Sequence, residues 1–202
     1  MTKNARGLFA GTVILALGLG LLTTGSGGAA DDQAGVKESV QKLADAVAKG
    51  DMAEAKKLAD EIAKSAELEE VMNLMSKRNP KAPKKAFGVG KEPGSITPDG
   101  IEVKIQNISR KPMPANQLNK ESADLTEMAQ RVAAISEIAK LKAPEKDEGA
   151  KKKKDWLEWA DAMRKGADEL AEAAKEKKPD AVKTAAAKLN SVCNTCHGTF
   201  RD

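Results

Sequence analysis

The sequence predicts an all-α protein: an antiparallel four-helix bundle with an additional N-terminal helical hairpin and a Pro/Gly-rich insert. Three observations carry that prediction. Alanine, lysine, glutamate and leucine dominate the 202 residues, while aromatics make up 2% and tyrosine is absent, the composition of packed helices rather than sheets. Apolar residues recur at i, i+3, i+4 and i+7 over most of the chain. The later helical segments follow one another across brief breaks, which places neighbours antiparallel.

Taken in order, residues 1–30 read as a secretion signal. Lys3 and Arg6 form a basic start, Leu8 to Leu22 an apolar run, and Gly28-Ala29-Ala30 a small-residue cleavage site before Asp31-Asp32. The run is shorter than the roughly 20 apolar residues a membrane-spanning helix needs. No cysteine lies near the cleavage site, which excludes a lipoprotein anchor. The expectation is a periplasmic or otherwise exported protein with no stable membrane insertion after cleavage.

Residues 31–65 form the hairpin. Val36, Val40, Leu43, Ala44 and Val47 make one apolar stripe, Gly50 stops it, and Asp51 is placed to cap the next helix. Met52, Ala55, Leu58, Ala59, Ile62 and Ala63 make the second stripe. The rest, 66–202, reads as one domain. It opens with a helical segment to Lys77 that sets Leu68, Val71, Met72 and Met75 on one side.

Residues 78–118 form an irregular insert, punctuated by six prolines and by Gly88, Gly90, Gly94 and Gly100. Inside it, Ile101, Val103 and Ile105 alternate like a strand, while Ile101, Ile105 and Ile108 also share a helical face. Thr97-Pro98-Asp99 reads as N-cap, first-turn proline and acidic first turn, so a short helix is expected. Phe87 and the neighbouring glycines suit a surface crossover, or the edge of a flat bound cofactor, where close backbone approach demands small residues.

Three long helices follow. From Ser122, Leu125, Met128, Ala129, Val132, Ile135 and Ala139 form a stripe, with Leu141 a candidate last member, that ends near Pro144. A charged connector, 145–154, leads to a helix over 155–175 with Trp156, Trp159, Ala160, Met163, Ala167 and Leu170 inward. Lys178-Pro179-Asp180 separates it from the last helix, whose inward side carries Val182, Ala185, Ala186, Leu189, Val192, Cys193 and Cys196.

That last helix carries the motif that gives the chain its chemistry. Cys193-Asn194-Thr195-Cys196-His197 is a C-x-x-C-H run, the attachment signature of c-type haem in an exported protein. Three-residue spacing on a helix puts both sulfurs on one face, and His197, about 100° further round, can swing over a ring plane as axial ligand to iron. Other uses of these atoms fit less well. A redox dithiol needs a helix N-terminus to lower its thiol pKa, and this pair sits at the C-terminal end. A structural zinc ion needs four ligands, and the chain holds two cysteines and one histidine. A disulfide across two residues would constrain little.

With His197 the sole histidine, the second axial position falls to a methionine, water, an exogenous ligand or nothing. Met72 and Met75 are candidates for ligation as well as for packing; Met113, Met128 and Met163 read as core. Charge adds little. Removing residues 1–30 takes away Lys3 and Arg6 and leaves 32 basic against 30 acidic side chains, too near neutral to indicate nucleic acid or an anionic membrane as partner. No further histidine or second cysteine cluster suggests an enzyme.

The ending Cys193, Cys196, His197, Phe200 and Arg201 matches C-x-x-C-H-x-x-[FY]-[RK] and resembles that of the class II c-type cytochromes, the group of cytochrome c′ and its low-spin, methionine-ligated relatives. The segments Ser122–Lys142 and that headed by Trp156 are similar to helices of that bundle. The resemblance implies one covalent haem c with its iron held by His197, thioether bonds to Cys193 and Cys196, and Arg201 beside the haem. It also implies that Leu68–Met75 is the first bundle helix, with Met72 or Met75 over the distal face. The implied function is one-electron transfer with redox partner proteins; a five-coordinate iron binding nitric oxide or carbon monoxide is the alternative. Homodimers through the first helices occur among such proteins.

Overall fold

The structure is a computed structural model that describes residues 28–82 and 85–201, so the leader assigned to residues 1–30 lies almost wholly outside them. Seven helices are present among the described residues: α1 (Gly28–Lys49), α2 (Met52–Ser65), α3 (Leu68–Asn73), α4 (Ile101–Arg110), α5 (Ala115–Leu141), α6 (Lys153–Lys175) and α7 (Pro179–Phe200). They pack against each other as a helical bundle, as the periodicity predicts. The spine is α5–α6–α7, each helix packed on the next; α4 lies along α7, and the α1–α2 hairpin lies along α5.

Local chemistry sets the breaks. The Asp51 carboxylate accepts the Glu54 N–H at 3.1 Å and caps α2, and Gly50 takes the left-handed φ of 72° that ends α1. At the start of α3, Glu67 and Glu70 cap each other's backbone reciprocally. Pro179 opens α7, where its missing N–H costs nothing.

The hairpin belongs to the core. Val40, Leu43, Ala55, Ala59 and Ile62 are buried in the same cluster as Ile101, Ile105, Leu125, Met128, Ile135, Leu170 and Leu189. Met52, by contrast, is half exposed, since its place in the first turn of α2 turns it off the stripe. Met113, Met128 and Met163 are buried as expected. Two expectations change in detail. The segment 66–77 gives only six helical residues before turning; it packs on α1 and α5, so the long side of α7 is lined by α4. The longest helix, α5, starts at Ala115, straight after Pro114, about two turns before Ser122.

The insert is ordered by a buried ion pair. Arg78 donates through Nε to Asp99 Oδ2 at 2.9 Å and through its terminal nitrogens to Asp99 Oδ1 and the carbonyls of Gly90, Lys91 and Glu92. Asp99 also accepts the N–H groups of Val89 and Gly94. This network corrects the cap expected at Thr97-Pro98-Asp99. Asp99 is taken up by Arg78, and the residue that precedes α4 is Gly100. Gly88 shows how tight the wrapping is, with φ at 67° and a virtual Cβ only 2.3 Å from Arg78 Nε. The close approach at Gly88 is therefore to a guanidinium and a carboxylate, and not to the edge of a flat cofactor. A second buried pair, Lys104 Nζ to Glu121 at 2.7 Å, ties α4 to α5.

Removing one member of the first pair strands the other. Asp99→Asn is expected to destabilise the fold by about 3–5 kcal/mol, as for other buried pairs broken on one side, measured by urea denaturation. Burial pushes the Asp99 carboxyl pKa up, but the Arg78 bond and two backbone N–H bonds outweigh it and hold the pKa below the ordinary value. The stabilisation is therefore complete above the unfolded value of about 3.9 and is lost as pH falls through the lower folded value. The asparagine variant loses that part of the acid sensitivity.

Candidate haem-attachment site

The inward stripe of α7 runs Val182, Ala185, Ala186, Leu189 and then leaves the deep core. Val192, Cys193, Cys196 and Phe200 continue it at the same helical spacing, all half-buried. Both cysteines are free thiols and face the bundle from successive turns. His197 follows, also half-buried, and its imidazole has no hydrogen-bond partner among the described residues.

The walls come from helices distant in sequence. Cys196 packs against a small cluster of Ala139, Trp156 and Ala160, joined by Leu68, Met72, Ala143, Leu157 and Phe200. Phe200 presents its ring edge-on to Trp156 at 4.8 Å and to Trp159 at 5.7 Å between centroids. The Trp156 indole N–H donates to the Ala139 carbonyl at 2.7 Å, which locks the α5–α6 crossing beside the motif. Trp156→Phe keeps the aromatic contact and removes one of that carbonyl's two hydrogen bonds, the other coming from the Lys142 N–H at 3.1 Å; the expected loss is about 0.5–1.5 kcal/mol, read from urea denaturation of the holoprotein. On its other side Cys193 packs against the main core, together with Val192 and Met72.

The electrostatics argue against a dithiol redox centre. Burial, followed by the charges of Glu102 and Cys196, pushes the Cys193 thiol up to about 11, and burial raises Cys196 as well. Reactive cysteines need the opposite. The zinc reading also lacks support, because no three His, Cys, Asp or Glu side chains converge as a metal site among the described residues.

The methionines separate. Met75 is a core residue, 9% exposed; its carbonyl accepts the Glu102 N–H at 3.1 Å, which welds the end of α3 to the start of α4. Met72 is half-buried and touches both clusters that flank the cysteines. Met72 thus packs with Cys196 against Ala139, Trp156 and Ala160, while Met75 is buried in the main core. Arg201 lies just past α7, exposed, its N–H donating to the His197 carbonyl at 3.1 Å. Sequence reasoning missed Glu102, Ala143 and Leu157. Nothing local marks them, because only folding brings them to α7.

These residues fit a haem. Two free thiols one helical turn apart, an adjacent imidazole and a wall of alanine, leucine and aromatic carbon are the donor set and apolar surface that a covalently held porphyrin takes. Such a bundle, with its attachment site on the final helix, defines a c-type haem protein. Residues 103–201 match the family described as Cytochrome C′, and this half of the chain is accordingly a class II c-type cytochrome domain. No curated protein and no solved structure matches the chain.

When bound, the haem c supplies a one-electron iron couple. Cys193 and Cys196 would anchor it, His197 would present its imidazole to it, and Trp156, Leu157 and Phe200 would exclude water from it.

Proposed function

We propose that the protein is an exported monohaem cytochrome that carries single electrons between partner proteins, with Met72 as the distal ligand to iron. The observation that supports this reading is the position of Met72 on both hydrophobic clusters beside the cysteines, from a chain segment about 120 residues upstream. A thioether opposite His197 raises the reduction potential and closes the iron to outside ligands. That is the behaviour of an electron carrier rather than of an enzyme. No helix among the described residues is long and apolar enough to cross a membrane, which accords with a protein free of the bilayer once its leader is removed. Arg201 lies one turn beyond His197, where its charge favours the reduced iron.

The test is the visible absorption spectrum of the purified holoprotein, oxidised and reduced, with and without carbon monoxide. A low-spin spectrum with the far-red band of a sulfur–ferric iron bond, unchanged by the gas, is the expected result. A high-spin spectrum that shifts on adding carbon monoxide would make gas binding the function.

A further inference from the structure

A second concave site lies away from the cysteines, where α1, α5 and the insert meet. It encloses about 310 Å³, the lower end of the size range of small-molecule pockets. Its floor is the Phe87 ring, 3% exposed. The Arg131 guanidinium stands 4.7 Å from the ring centroid and the Lys37 ammonium 5.6 Å from it. Arg78 and Lys91 complete a lining with four cations, against which stands one acidic residue, Glu38. Glu38 is already engaged with Lys42 at 2.8 Å.

The cations are held in place before any ligand arrives. Arg78 is fixed by its bonds to Asp99 and the loop carbonyls, Arg131 donates to Gln41 at 2.8 Å, and Lys37 donates to the Ala86 carbonyl at 2.8 Å. Asp99 and Glu127 each offset one guanidinium, and Asp45 and Asp124 also attract Arg131, while among the residues that line the cleft four cations face one carboxylate. Burial and then the charges of Arg78 and Arg131 push the Lys37 pKa down, and the attraction of Asp99 does not restore it. Cations assembled at such a cost to one another, over an apolar floor and beside open space, form a preorganised receptor for negative charge.

We propose that this cleft binds a compact oxyanion, carrying carboxylate or phosphate groups, between Lys37, Lys91 and Arg131 over the Phe87 ring. Such a ligand would bridge α1, the insert and α5. It would thereby stabilise the fold by mass action.

The experiment follows thermal unfolding of the full-length holoprotein while citrate or inorganic phosphate is added at constant ionic strength, with sodium chloride as control. A saturable rise in the midpoint is expected with at least one probe. Its half-saturation should weaken about tenfold, the value of one good contact, in K37Q and in K91Q. Lys91 is exposed on the loop, so K91Q tests the site without risk to folding. A midpoint that responds to neither probe beyond the chloride control overturns the proposal. So does a saturable rise that both variants leave unchanged.

Discussion

Replacing both Cys193 and Cys196 with alanine is expected to abolish covalent haem completely: a denaturing gel stained for haem should show no band, and the mass should fall to that of the bare chain. The sulfurs are the only thiols in the sequence, so no other residue can form the thioether bonds. The effect should extend to the fold. Aromatics make up 2% of the residues, and the wall around Cys196 is built largely from alanine and leucine. Loss of the bound haem removes the large apolar body that this end of α7 packs against, and the thermal midpoint should drop with it. A haem-stained band in the double variant would refute attachment through these thiols.

The second large effect concerns the distal side. Met72→Ala is expected to lower the reduction potential on the order of 0.1 V, within the roughly 0.8 V range that axial ligands control, and to let carbon monoxide bind the reduced iron. Met75→Ala should leave the spectrum and potential in place. It should cost about 2–5 kcal/mol of stability as a core truncation, because Met75 is buried in the main cluster. The pair of variants separates ligation from packing. If Met75→Ala changes the spin state and Met72→Ala does not, the assignment reverses. If neither changes it, the iron has no methionine ligand.

Much of the fold was legible because helices are encoded locally. The stripes on α1, α2, α5, α6 and α7 need only the 3.6-residue period, and each stripe residue named there is buried or half-buried apart from Met52 and Leu141, which stand at helix ends. Breaks were legible where one residue makes them, as with Gly50, Asp51 and Pro179. The insert was read less fully. Its alternating isoleucines fit strand or helix, and Asp99 looked like part of a helix start. Arg78, 21 residues upstream, claims that carboxylate instead.

The C-x-x-C-H run was legible for a related reason. Attachment needs two thiols and an imidazole at fixed steps along one helix, so the whole constellation fits in five consecutive residues. The family match over residues 103–201 agrees with that reading.

The sequence by itself therefore determined the helices, the hairpin and the C-x-x-C-H motif with its family, since each depends on residues within a turn or two of chain. Tertiary structure alone decided that Met72 packs with Cys196 against Ala139, Trp156 and Ala160, that α4 lines α7, and that Lys37, Arg78 and Arg131 gather around Phe87. Those facts depend on contacts between residues roughly 10 to 120 positions apart. Such contacts are selected by how whole faces pack and how buried charges find partners, and no local periodicity records them.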